Sequence, residues 1–98
     1  MSARHLVAAF LEMMSAERGA AKNTIDAYRR DLTDYADFLM RRGQTPLNAD
    51  RQDVTTYLDG LYAQGLAATS SARRLSAIRQ FHQFLCADNL RGEDPTRI

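Results

Sequence analysis

The chain has no tryptophan, two prolines, five glycines and one cysteine in 98 residues. A single thiol, Cys86, closes no internal disulfide, so a packed core must hold the fold; such usage fits a reducing cytoplasm. Cys86 itself reads as a small apolar filler near a helix end. No apolar run approaches the roughly eighteen residues needed to span a bilayer. The N-terminus shows no basic stretch leading into an apolar run and a small-residue cleavage site, so secretion is not expected. The scarce glycines form no phosphate-cradling loop. The two histidines, His5 and His82, fall on different predicted helices at no metal-site spacing. No cofactor, metal or small-molecule ligand is therefore expected, and there is neither strand alternation nor an internal repeat.

Charge of one sign is also missing overall, the net being +1. Its distribution says more. Nine of the twelve carboxylates lie at or before Asp59, and the next is Asp88. Residues 60–87 carry Arg73, Arg74 and Arg79 and no acid. A phosphate backbone would favour such a segment, and so would an acidic protein partner.

What is present is helical periodicity in an ordinary globular composition, 45% hydrophobic and 26% charged. A first helix is predicted over about Ala3–Glu17, with Leu6, Val7, Phe10, Leu11, Met13 and Met14 on one side and Gly19 as its stop. A second runs from about Asn23 to Arg42, capped by Asn23 or Thr24. Ile25, Tyr28, Leu32, Tyr35, Phe38 and Leu39 form its apolar stripe. Its carboxylates read as a solvated face, with Asp26, Asp34 and Asp37 opposite the stripe, and Gly43 closes it. Asp50 and Asp53 make a capping box with a shorter acid for a third helix. Its buried face is Val54, Tyr57, Leu58, Leu61 and Tyr62, and it ends at Gly65. Gly60, inside it, costs on the order of 1 kcal/mol against alanine. The fourth runs from about Thr69 to Ala87, with Thr69, Ser70 and Ser71 as possible caps. Leu75, Ile78, Phe81 and Leu85 are its core stripe, Phe84 lies at the margin, and His82 reads as a partly buried histidine. The fold class is all-α, a four-helix bundle with short connections.

The polar side of the fourth helix is the sharpest feature. Arg73, Ser76 and Gln80 project from it one and two turns apart. Arginine can read guanine and glutamine adenine through paired hydrogen bonds in the major groove. Serines at a helix start can hold a phosphate. The wet side of any amphipathic helix would look the same, so on physical grounds both readings stay open.

The stretch Asn23-Thr24-Ile25-Asp26-Ala27-Tyr28-Arg29-Arg30-Asp31-Leu32 is followed, past the third predicted helix, by Ala68-Thr69-Ser70-Ser71-Ala72-Arg73-Arg74-Leu75-Ser76-Ala77-Ile78-Arg79. The pair closely resembles the core-binding, SAM-like domain of tyrosine site-specific recombinases, the phage-integrase-like family. A Thr-x-x-x-Tyr on a helix is common, but both stretches in this order and at this separation are specific. The similarity runs over essentially the whole chain to Asp94-Pro95, where the family's interdomain linker begins.

The resemblance implies a DNA clamp in which this domain is one jaw and a larger C-terminal catalytic domain the other. It implies that the second and fourth helices meet the major groove. The DNA-facing candidates are then Asn23, Thr24, Asp26, Ala27 and Arg30 on the second helix. On the fourth they are Thr69, Ser70, Arg73, Arg74, Ser76 and Gln80. Arg74 lies nearer the apolar side, where a phosphate clamp and plain packing are both open. The family's catalytic arginines, lysine and tyrosine nucleophile belong to the C-terminal domain. Tyr28, Tyr35, Tyr57 and Tyr62 fall on apolar stripes and read as core or rim residues. The 98 residues are expected to bind double-stranded DNA and cut nothing. Residues 1–90 would form the DNA-binding domain and 91–98 the start of the linker. The resemblance further implies a partner recombinase in a tetramer on DNA, a DNA translocase, and a nucleoid-associated cytoplasmic location. A helical protein-interaction module and a helix-turn-helix regulator are the competing classes. The long second helix and trailing polar segment fit the regulator poorly.

Overall fold

The computed structural model describes residues 2–97, so Met1 and Ile98, the outermost positions of the expected domain and linker, lie outside the described residues. Four helices are present: α1 (Ala3–Arg18), α2 (Lys22–Arg41), α3 (Arg51–Ala63) and α4 (Ala68–Ala87). No strand occurs among the described residues, as the periodicity requires.

The helix starts divide into two kinds. Asp50 and Asp53 form the expected capping box, each carboxylate accepting the other's backbone N–H at 2.8 and 3.0 Å. Ser2 caps α1 by accepting the His5 N–H. The starts of α2 and α4 differ from expectation. Ala21 and Ala67 take the extended cap positions (ψ 150° and 145°), and neither helix has a side-chain cap. Asn23, Thr24, Thr69, Ser70 and Ser71 already lie inside the first turn. A capping oxygen works only from the non-helical residue just outside, so these five are not the caps. Their first N–H groups are left without an intrahelical partner.

The helix ends follow one rule. Gly43 and Gly65 adopt a left-handed φ of 74°, and Asn89 does the same for α4 at 58°. In each, the next N–H reaches back to close the last turn: Gln44 to Leu39, Leu66 to Leu61, Leu90 to Leu85. Helix α3 continues unbroken through Gly60, because packing of Val54, Tyr57 and Leu61 outweighs the small propensity cost.

The core is drawn from the predicted stripes. Leu6, Phe10 and Leu11 of α1 meet Leu32, Tyr35 and Leu39 of α2 and Ile78, Phe81 and Leu85 of α4. The Phe10 ring lies 5.7 Å from both Phe81 and Phe84. Helix α2 packs against the other three helices and so organises the bundle.

Three burial expectations change. Tyr62 is 78% exposed, because the stripe of α3 ends at Leu61 and the next residue turns about 100° away. Asp31 is 1% exposed, so the carboxylates of α2 are not all a solvated face. His82 is wholly buried rather than partly so, its Nε2 2.8 Å from the Tyr35 hydroxyl.

The polar segment after α4 lies back on the bundle. Arg91 donates to the Pro46 carbonyl at 3.0 Å, Pro95 is buried, and Arg51 donates to the Arg97 carbonyl at 2.6 Å. The residues expected to begin a linker are thus tied to α3 and to the loop before it.

Candidate nucleic-acid interface

Helices α2 and α4 pack together, and their polar residues join in rungs across the seam. At one end the Gln80 amide donates to the Tyr28 hydroxyl and to Ser76 Oγ, both at 3.1 Å. Its carbonyl oxygen accepts from Arg18 of α1, also at 3.1 Å. In the middle, Arg73 Nε and Nη2 donate to the two oxygens of Asp31 at 2.8 and 2.9 Å. At the other end Arg74 Nη1 donates to Asp34 at 2.7 Å and to the Tyr57 hydroxyl at 2.9 Å. Tyr57, from α3, donates in turn to Asp34 at 2.6 Å. The sequence permits this because Tyr28, Asp31 and Tyr35 are three and four residues apart, as are Arg73, Ser76 and Gln80.

The electrostatics hold Tyr57, Arg73 and Arg74 in the state their bonds need. Burial, then the bond to Asp34, pushes the Tyr57 phenol above its ordinary range, so it remains a donor. The hydrogen bond to Asp31 secures the charge on Arg73. For Arg74 burial opposes the charge, but Tyr57 and the two carboxylates outweigh it.

The sequence-predicted residues fall as follows. Asn23, Thr24 and Arg30 of α2 are exposed, and Ala27 is half-buried. Thr24 and Ala27 precede Tyr28 and Asp31 by one turn, and Arg30 precedes Asp34 by one turn, so these three border the seam. Asp26 turns instead to Lys22, 3.0 Å away, whose hydrogen bond and charge hold its carboxyl below the usual range. On α4, Thr69 is exposed and Ser70 half-buried, one turn before Arg73 and Arg74. Arg73, Ser76 and Gln80 are not an uncommitted wet face. Each is bonded to α2, because the seam is close enough for side chains to satisfy one another before water does. Arg74, 20% exposed along its side chain, is principally a packed and paired residue.

Sequence reasoning missed the other halves of these pairs, Asp31, Asp34 and Tyr57. A signal existed for Asp31: a carboxylate standing inside an apolar stripe, three residues after Tyr28 and four before Tyr35. It also passed over Arg79, the arginine of the acid-free stretch that is exposed and has no ion pair among the described residues. No cluster of metal-ligating side chains occurs among the described residues, and no helix there is long and apolar enough to cross a membrane.

Known proteins agree with this architecture. The family profile described as "Phage integrase, N-terminal SAM-like domain" matches residues 7–89. Tyrosine recombinase XerD of Agrobacterium fabrum is 59% identical over 89 residues, 91% of this chain and 27% of that protein. Tyrosine recombinase XerD of Rhizobium meliloti is 56% identical over 98 residues, 100% of this chain and 31% of that protein. The XerD of Caulobacter vibrioides is 46% identical over 89 residues, 91% of this chain and 29% of that protein. The chain thus spans less than a third of the length of these relatives. With four helices in the expected order and a match across nearly all of them, the chain belongs to the phage integrase N-terminal SAM-like domain family.

Proposed function

We propose that the α2–α4 face binds duplex DNA, as the N-terminal jaw of a XerD-like tyrosine recombinase acting in site-specific recombination and chromosome dimer resolution. The observation that carries this reading is the polar seam itself. It joins the two helices that the resemblance assigns to the major groove and presents Arg30 and Arg73 as exposed cations on them, while Arg79, also exposed, lies on the side of α4 toward α3 and the C-terminal segment. The first turns of α2 and α4 lack side-chain caps, so their free N–H groups, with Thr24, Thr69 and Ser70 beside them, suit phosphate oxygens. In this reading Asn23, Thr24, Ala27 and Arg30 follow one wall of the groove. Thr69, Ser70, Arg73, Ser76 and Gln80 follow the other, with Arg74 bracing the seam from below and Asp26 at its margin.

The domain supplies position and the rest of the parent protein supplies cleavage. Tyr28, Tyr35 and Tyr57 are buried and hydrogen-bonded, which suits structural roles rather than nucleophilic attack. The partners in this reading are double-stranded DNA, a XerC-like recombinase completing a tetramer on two sites, and an FtsK-like DNA translocase. The setting is the nucleoid in the cytoplasm.

The test is a titration of the chain against a recombination-site duplex and a scrambled duplex over a range of salt. Log affinity is expected to fall linearly with log salt, and Arg30→Ala to reduce that slope by about one. Affinity that does not change with salt, or is absent for both duplexes at low salt, overturns the reading.

A further inference from the structure

We infer that Asp31 is a positioning residue for DNA binding, which holds the Arg73 guanidinium by its side so that its end is presented to a DNA phosphate. The inference rests on the proposed DNA-binding face and goes beyond it by separating the residue that touches DNA from the residue that aims it.

Arg73 has five N–H bonds on three nitrogens. The Nε–Nη2 side is spent on the two oxygens of Asp31, at 2.8 and 2.9 Å. That leaves the end of the fork, one N–H of Nη2 and both of Nη1, without a protein acceptor among the described residues. The carboxylate is 1% exposed and the arginine side chain 41% exposed, so the pair is a buried socket with a solvent-facing head. Arginine is suited to this double use, because its rigid planar fork can meet one anion side-on and a second end-on. A lysine ammonium could not be aimed in this way.

Stability alone is a poor reason for the pair. Taking a carboxylate out of water offsets much of what the pair regains, and apolar side chains of the same volume commonly do as well. Direction is what the socket does secure. A free arginine must give up rotamer freedom when it meets a phosphate; one already fixed gives up little. Asp31 is itself fixed, since Arg74 Nε lies 3.4 Å from Oδ1, the oxygen that accepts from Arg73 Nη2, and α2 is anchored by buried Tyr28 and Tyr35 on either side of it.

The arrangement makes opposite predictions for one substitution. If charge alone governs this face, Asp31→Asn removes a negative charge beneath it and must tighten DNA binding. If Asp31 positions Arg73, the same change must weaken it, because the amide cannot accept both N–H bonds. The expected result is a roughly three- to tenfold loss of affinity for duplex DNA at fixed salt, the scale of one hydrogen bond to a charged group. Arg73→Ala should then cost little more in the Asp31→Asn background, whereas Arg30→Ala should still cost its full amount there. General loosening of the domain would erode both, so this contrast separates positioning from a merely structural role. Thermal melting of Asp31→Asn serves as the fold control. Should that variant not fold, Arg73→Lys replaces it: charge is kept, the fork is lost, and the loss should match Arg73→Ala. Unchanged or tighter binding by Asp31→Asn, additive losses with Arg73→Ala, or wild-type affinity in Arg73→Lys overturns the inference while leaving the DNA-binding face standing. Failure of the unsubstituted chain to bind duplex DNA at low salt removes both together.

Discussion

The bundle has two unlike walls. Where α1 meets α2 and α4, the contact is apolar: Leu6, Phe10, Leu11 and Met14 against Leu32, Phe81 and Leu85. Along the polar seam between α2 and α4, it is a ladder of hydrogen bonds and ion pairs from Tyr28–Gln80 to Asp34–Arg74. Apolar burial is non-directional and scales with area, so the first wall supplies cohesion without dictating an exact register. Hydrogen bonds and bidentate pairs are directional and nearly neutral in net free energy, so the second sets how the two helices lie but adds little stability. Cohesion and geometry thus come from neighbouring faces of the same two helices. The side that sets geometry is also the side proposed to face DNA.

The apolar wall should break hardest. Phe10 is fully buried against Phe81 and Phe84, so Phe10→Ala should lower the unfolding free energy by about 3–5 kcal/mol in urea denaturation. A loss no larger than that from cutting a rung of the polar seam would reverse the assignment of the two walls.

His82 lies between the walls and should show itself through pH. Burial, then the nearby charge of Arg91, lowers its pKa from 6.5 to about 4, with Asp94 opposing weakly. The unfolded chain therefore takes up a proton between those values while the folded chain does not. Stability from this group is full above about pH 6.5, is lost as pH falls toward about 4, and amounts to roughly 3 kcal/mol in all. Denaturation at pH 7, 6 and 5 should show that decline, and His82→Gln should flatten it. An equal slope in the variant would assign the effect to carboxylates.

The polar wall should yield least. Tyr57→Phe removes the hydroxyl shared by Asp34 and Arg74, but those two keep their direct 2.7 Å bond. The expected cost is about 0.5–1.5 kcal/mol by the same denaturation measurement. A cost above that of Phe10→Ala would show the seam to be the principal source of cohesion.

Much of this architecture is legible locally. The Asp50–Asp53 box and the glycines at 43 and 65 act through neighbours within five residues, so the chain announces them without knowing its fold. The apolar stripes are legible for the same reason, since 3.6-residue periodicity is a property of the helix alone. Tyr62 marks the limit: a tyrosine beside Leu61 looks like core until the neighbouring helix proves not to extend over it. The caps at Ala21 and Ala67 mark another, because polar residues two to four places downstream are better caps by type and occupy the wrong positions.

The amino-acid order by itself determined four helices, their approximate ends, their buried stripes and the resemblance carried by Asn23–Leu32 and Ala68–Arg79. Those features depend on interactions within a turn or two, or on the identity of residues. The pairing of Asp31 with Arg73, of Asp34 with Arg74 and Tyr57, and of Gln80 with Tyr28 joins residues 17 to 52 positions apart. Only the packing of α2 on α4 brings those groups within 3 Å or so, and until it does, a charge on a helix has no partner to reveal whether it is free or spent. That is why Arg73 and Arg74 read as a bare basic face along the chain and stand, once folded, as a braced one.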